Sequence, residues 1–470
     1  MAALLPNDAL TPDLSRPTAE IEDPVSLSRL YRIDHIGLSA YLVALAAWQR
    51  GLRVTFHYEV ASKSPRFATS LAYASRGEFF SVTDGTRTHF FLRTLGDLTS
   101  RETSALCDDK QATKERLIAA GVPVPDGILI DRAALDATAL DGFLERHPGK
   151  SFHIKPLSGS LAIGVHGHLS SEEVRPCIDQ HKDRRLLIEE HVAGSYMRAN
   201  VVDGRFVGAF ERFPPRVAGD GIATIVELVE RKNLSRRHRS LHLKRVVRLG
   251  AVEQACLAAQ GLTLDSVLEP GVTALIRDTN SGDEGADYRE ATESASKMAR
   301  ALAVRSCLAL DLVVGGVDLL IDEETGQHVV LEVNQCPMLK ANVFPIYSPS
   351  PGNRVAEAII DHYFPTSVVN SRFTKASFDF MRVCNTLKSG MVAEVLLPVL
   401  GPNWVHKRIR LDVAELDAAS QDSIRLIAER HGAHIDILRL NGKGMLIDAL
   451  GPSERYDAFV KRLQASLKKN

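Results

Sequence analysis

Apolar positions recur at helical spacing over Ala40–Gln49, stop at Gly51, and give way to a β-rich run over Arg53–Tyr58, which predicts an α/β unit. Strands are predicted at Glu78–Thr83 and Thr88–Thr94, on either side of the Asp84-Gly85 turn signal. A helix is predicted over Asp109–Ala120, ended by Gly121 with Pro123 and Pro125 just beyond. From 128 to 365 the pattern predicts strands at Ser151–Lys155, Leu186–Glu190, Ala199–Val202, Gly316–Ile321 and His328–Asn334, with helices over Thr224–Asn233 and Glu290–Ser306. Tyr347–Gly352 reads as a loop. Past Ser367 the rhythm changes. Met391–Val399, Arg408–Val413, Gln421–His431, Ala433–Leu438, Gly444–Leu450 and Arg455–Leu467 alternate strand and helix patterns, as a small α/β sandwich would. The fold class expected is α/β (α+β).

Length and charge narrow the classes. A chain of 470 residues is long enough for about three domains of about 150 residues. Residues 1–24, rich in Pro, Asp and Thr, read as a loose leader. With 45% apolar and 24% charged residues the composition is that of a globular protein, and a net charge of -1 supplies no pull toward nucleic acid or an anionic membrane. Six cysteines lie far apart with no CxxC pair, as reduced thiols do. No signal-peptide pattern opens the chain, and the most apolar helical stretch, Ile36–Trp48, is too short to span a bilayer. A cytoplasmic enzyme is expected on these grounds, although a binding protein would satisfy the same limits.

The sharpest local pattern is Gly316-Val317-Asp318 followed by Leu331-Glu332-Val333-Asn334. Alternation along a strand puts Glu332 and Asn334 on one face and Val329, Leu331 and Val333 on the other. A hairpin turning through Glu323–Gly326 pairs Asp318 with Glu332 and Leu320 with Val330. Three hard oxygen donors on one sheet face suit magnesium. A half-buried hairpin with a wet face would show the same alternation.

Two lysines extend the pattern. Lys114 lies in the helix and Lys155 closes the strand before Ser158-Gly159-Ser160-Leu161-Ala162-Ile163-Gly164, a Gly/Ser loop whose N–H groups could approach phosphate oxygens. It is not a Walker A loop, because no Gly-Lys-Ser/Thr follows. Arg212–Gly221 holds two Pro and two Gly and is expected to be a fixed loop presenting arginine to an oxyanion. The segment Arg231–Arg248 carries eight Lys/Arg and no acid, which reads as a solvated face or as a guide for an acidic substrate.

Taken in order, Thr113-Lys114, Gly121–Pro125, Ile154-Lys155-Pro156, Ile188-Glu189-Glu190, the segment Arg212–Leu228 with Gly219-Asp220-Gly221, Asp318 and Glu332-Val333-Asn334 resemble the ATP-grasp superfamily. The likeness is to the ATP-grasp part of cyanophycin synthetase and of bifunctional glutathione synthetases. It covers 110–365. It implies a pre-ATP-grasp α/β domain at 25–110, a two-lobed ATP-grasp catalytic domain at 111–366, and a C-terminal α/β domain at 367–470 that matches nothing named.

The resemblance implies roles. Lys114 and Lys155 would contact ATP phosphates, with Ser158, Gly159 and Gly164 in the loop above them acting as a lid. Glu189, with the backbone through Val192, would hold the adenine. Asp318, Glu332 and Asn334 would hold magnesium, as two ions, with manganese an alternative. Arg198 and Arg212 would meet the acyl phosphate and the tetrahedral intermediate. Relatives carry an acid for the ribose after Gly194 and Ser195; here Tyr196 stands there, and Glu190 would take over. The activity implied is ATP-dependent amide formation between small-molecule carboxylate and amine substrates, amino acids or short peptides, through an acyl phosphate, in a homo-oligomer. A catalytically degraded nucleotide-binding regulator or scaffold, and a kinase that stops at phosphoryl transfer, are the alternatives.

Overall fold

The computed structural model describes residues 37–58, 76–157, 164–238, 246–279, 284–345, 351–411, 413, 416–440 and 444–467. The leader and loop residues 158–163, Ser158 and Gly159 among them, lie outside the described residues. The chain divides into two compact units, one from Met1–Gly96, Phe213–Glu290 and Met338–Asn470, the other from Asp97–Arg212 and Ala291–Pro337. Helices and several antiparallel sheets are mixed throughout, as the α/β reading expects.

The first unit opens on helix Gly37–Gln49, which is buried almost all round. Beside it, Arg53–His57, Phe79–Thr83, Thr88–Leu92 and Leu95–Gly96 pair in sequence order. The outer neighbour of Arg53–His57 is a strand from far along the chain, Glu394–Leu396. An aromatic cluster fills the space between: Phe56 lies 5.4 Å from Phe80 and 5.6 Å from Phe380, and Trp48 lies 5.6 Å from Phe378. Farther on, Trp404–Leu411, Gly444–Pro452 and His434–Leu440 form a three-stranded sheet with helices Ala418–Arg430 and Ser453–Leu467. Its own core is Ile424, Ile447, Ala449, Phe459 and Leu463, each almost fully buried.

The same unit corrects two expectations. Arg212–Gly221 is not all loop: a strand ends at Phe213 and another spans Arg216–Ala218, paired with Thr273–Leu275. Nor is the basic segment simply a solvated face. Arg236 is wholly buried and shares Asp287 with Lys232, whose Nζ lies 2.7 Å from Asp287 Oδ2, while Arg231 pairs with Asp220 at 2.7 Å. One buried carboxylate has turned two charges of the run inward, because a buried charge is tolerated only when paired.

The second unit holds two sheets. In one, Gly127–Asp131, Arg185–Glu190, Phe152–Pro156 and His166–Leu169 lie side by side in that order. In the other, Arg205–Phe213, Ser195–Val202, Val314–Ile321 and His328–Asn334 do. Helix Lys297–Ala309 covers one face of the second sheet, where Ala299, Leu302, Ala303 and Cys307 meet Met197, Ala199, Val201, Val317, Leu319, Val330 and Val333. That helix begins at Lys297, capped by Ser296, and Asp287–Glu290 is a strand, so the expected start at Glu290 was too early. The apolar run could not reveal the boundary because the cap, not the pattern, sets it.

Candidate active site

Two polar faces of the second unit collect the residues singled out above. The first lies on the Phe152–Pro156 sheet. Phe152 and Ile154 enter a core with Leu186 and Ile188, so alternation turns His153, Lys155 and Glu189 to the opposite face. Lys114 arrives from helix Lys110–Ala119, which starts at Asp109, whose carboxylate accepts the N–H groups of Gln111 and Ala112. Lys114 Nζ lies 2.7 Å from Glu189 Oε1, and Lys155 Nζ lies 2.6 Å from Glu189 Oε2. Glu189 is only 4% exposed. Burial alone would raise its pKa, but Lys155 and Lys114 prevail and hold it below the usual carboxylate range.

Gly127 makes that clamp possible. It stands opposite Glu189 across the ladder, and a Cβ there would fall 2.7 Å from Lys114 Nζ and 2.7 Å from the Ile188 carbonyl oxygen. Sequence reasoning passed over Gly127, because Pro125-Asp126-Gly127 reads only as a turn; no local signal marks a glycine needed to let a lysine pass. Glu190 points elsewhere, accepting the Asp126 N–H at 3.3 Å with Lys150 3.9 Å away. Val192 is half-buried in the irregular segment after the strand, and Gly164 has the left-handed φ of 72° while its carbonyl faces His181 Nε2 at 2.8 Å.

The second face belongs to the other sheet. Arg198 is opposite Asp318, and Asp318 is opposite Glu332, so three charged residues form one row across three strands. Asn200, Gly316 and Asn334 make the next row. Arg198 Nε donates to Asp318 Oδ1 at 2.5 Å and Nη2 donates to Oδ2 at 2.6 Å, the fork geometry that carboxylates favour. Glu332 is exposed at the sheet surface, yet the protein crowded around its carboxyl, with the Asp318 charge, raises its pKa; Arg198, Lys110 and Lys155 oppose the rise. Lys110 is a further cation of this neighbourhood that the sequence reading did not single out; as the first residue of a helix it looked like an ordinary surface charge. Arg212 stacks over the Tyr196 ring at 4.0 Å, and Tyr196 is buried beneath it. That burial raises the phenol's pKa.

The hairpin register departs from expectation at its turn end. Asp318 pairs with Glu332 and Val317 with Val333 as expected, but Leu319 then pairs with Val330 and Leu320 with Val329, one residue out of step. A bulge at Leu331 absorbs the difference. The Val330 N–H donates to the Pro123 carbonyl at 2.8 Å, and Val330, only 1% exposed, takes the core place that alternation had assigned to Leu331. The polar end keeps its register, and with it the row of Asp318 and Glu332.

The donor set is suited to a hard divalent cation. Two carboxylates sit side by side with an asparagine one pair along, and a cation between them would relieve the repulsion of the two acids. Asn334 also has a buried amide nitrogen with no hydrogen-bond partner. Both Asp318 oxygens are engaged by Arg198, so a cation would have to share that carboxylate with the guanidinium or displace it.

Part of this sequence is similar to known proteins. The chain is 30% identical over 356 residues to the glutathione biosynthesis bifunctional protein of Streptococcus thermophilus, covering 71% of this chain and 44% of that protein. It is 29% identical over 362 residues to cyanophycin synthetase of Trichormus variabilis, covering 74% of this chain and 37% of that protein. The chain therefore spans about two fifths of the length of these relatives. Among solved structures, a bifunctional glutathione synthetase from Pasteurella multocida is 23% identical over 61% of this chain and 40% of that one, with a TM-score of 0.47. No family model matches the chain. The resemblance to the ATP-grasp ligases read from the sequence is borne out by these curated relatives. Among the described residues no helix is long and apolar enough to cross a membrane.

Proposed function

We propose that this chain is an ATP-dependent carboxylate–amine ligase that joins amino-acid or short-peptide substrates through an acyl phosphate, releasing ADP and phosphate. The observation that carries the reading is the row Arg198–Asp318–Glu332, with Asn334 one pair along, on a sheet face whose field includes Lys155. The similarity to cyanophycin synthetase and to the bifunctional glutathione proteins supports the same reading.

A carboxylate resists an amine because its oxygen is a poor leaving group, and a phosphoryl group from ATP makes that oxygen one. Lys114 and Lys155 would neutralise phosphate charge, and Glu189, which pairs with both ammonium groups, would hold them until nucleotide arrives. Asp318, Glu332 and Asn334 would hold magnesium, as two ions or with manganese substituting; bound there, it would supply charge neutralisation on the transferring phosphoryl group. Arg212 on its tyrosine platform, and Arg198 once eased from Asp318, would face the oxyanion formed when the amine attacks. The chain from Glu189 through Val192 would meet the adenine, Glu190 would reach the ribose by leaving the Asp126 N–H, and the loop ending at Gly164 would exclude water.

The catalytic domain we assign is 111–366, with 25–110 before it. We assign 367–470 to a C-terminal domain that lends Glu394–Leu396 to the leading sheet. We further propose a homo-oligomer working in the cytoplasm. The deciding experiment is ADP release across a panel of amino-acid and peptide carboxylates, each with and without an amine. Turnover that needs both partners supports ligation. Turnover complete without an amine points to a kinase, and none with any pair refutes the proposal.

A further inference from the structure

Three histidine side chains converge on the first sheet; the chemistry above uses none of the three rings, only the backbone of His191 in the proposed adenosine contact. His153 lies on Phe152–Pro156, His168 on the edge strand His166–Leu169, and His191 directly after Arg185–Glu190. His153 Nε2 and His191 Nδ1 are 2.9 Å apart. The ring centroids are separated by 5.3 Å for His153 and His168, 5.2 Å for His153 and His191, and 4.6 Å for His168 and His191. One nitrogen from each ring lies within 4.8 Å of the other two. The cluster depends on Gly167, where a Cβ would fall 2.7 Å from His153 Nδ1. His168 takes a φ of 59°, a left-handed conformation uncommon in side-chain-bearing residues.

We propose that His153, His168 and His191 bind a divalent transition metal of the zinc class, at a site separate from the carboxylates of the other sheet. Three imidazoles completed by a water form a familiar zinc donor set. Nitrogen donors favour zinc, copper or nickel, whereas magnesium prefers oxygen. Zinc–nitrogen bonds of about 2.0–2.1 Å in a tetrahedron place donor nitrogens about 3.3 Å apart, so the facing pair is already close and His168 closes by turning its ring. Both facing nitrogens must offer lone pairs, so the ring hydrogen now between His153 and His191 moves to the outer nitrogen of its own ring. The metal would pin the edge strand His166–Leu169, which shares only the pairs Phe152 with Leu169 and Ile154 with His166 with its neighbour.

The test is titration of the metal-stripped full-length protein with zinc by calorimetry, and with cobalt followed by its visible spectrum. One equivalent binding at about 1 µM or tighter is expected, with a tetrahedral cobalt spectrum and slower amide exchange in His166–Leu169. His168→Asn, which tolerates left-handed backbone, and His191→Gln should each weaken binding by about 10–100-fold, with metal-free melting unchanged for His168→Asn. Glu332→Gln should bind zinc as the wild type does. The chain has 16 histidines, so unchanged affinity in both histidine variants would assign binding to other residues and overturn the proposal. No zinc binding, an octahedral cobalt spectrum, or loss of zinc binding in Glu332→Gln would overturn it as well. Should a variant fail to fold, the wild type still decides: zinc that leaves amide exchange in His166–Leu169 unchanged would overturn the proposal.

Discussion

Replacing Arg198 with methionine tests the charged row most directly. Arg198 and Asp318 side chains are only 13% and 7% exposed, and the guanidinium satisfies both carboxylate oxygens. Methionine keeps the stem and removes the charge. Asp318 is then left buried, unpaired and directly opposite Glu332, which already feels its repulsion. Breaking a buried pair on one side costs about 3–5 kcal/mol, equivalent to about 10²–10⁴ in an opening equilibrium. Tryptophan fluorescence would miss the effect, because Trp48 and Trp404 both belong to the other unit. Amide exchange in Ser195–Val202 and Val314–Ile321, without metal or nucleotide, reads it in place. Adding Asp318→Asn should restore most of the protection, since removing both charges leaves no orphan. Magnesium should restore part of it in the single variant if it binds these carboxylates. An Arg198→Met protein protected within about 1 kcal/mol of wild type, or no recovery in the double variant, would refute the argument, because a buried unpaired carboxylate cannot be that cheap.

Other expectations follow from the same two faces. Glu332→Ala should lower ATP turnover by at least about 100-fold with the circular dichroism spectrum unchanged, the loss scaled from removal of groups that position a metal; ADP release within a few-fold of wild type would remove Glu332 from the metal site. Lys155→Met should weaken ATP binding measured by calorimetry, because a phosphate-facing ammonium is lost; equal affinity would leave Lys155 only the task of holding Glu189. Glu189 has a lowered folded-state pKa, so its contribution to stability is complete above the unfolded carboxylate value of about 4.3 and is lost as pH falls through the folded value. The stability gap between wild type and Glu189→Gln should therefore narrow in acid titrations below about pH 4, and a gap constant from pH 7 to 3 would contradict the clamp.

Strand period by itself put Glu332 and Asn334 on one face and Val333 on the other, and burial of Val317 and Val333 in the helix-covered core holds that choice. Gly51 and Gly121, both with left-handed φ, marked the ends of their helices for a local reason too. Three things depended on chain segments far apart. Lys114 meets a carboxylate 75 residues away, through a gap that exists only because Gly127 has no side chain. Arg198 locks Asp318, 120 residues on, because their strands are neighbours in a sheet whose order no local pattern encodes. The bulge at Leu331 lies where Pro123 takes the Val330 N–H and Val330 fills the core, a competition between packing and hydrogen bonding that is absent from the hairpin sequence alone. Sequence thus determined which side chains share a face, since that follows from backbone geometry within one element. Tertiary structure decided which charges satisfy one another, since a buried charge takes whatever partner the fold brings within reach.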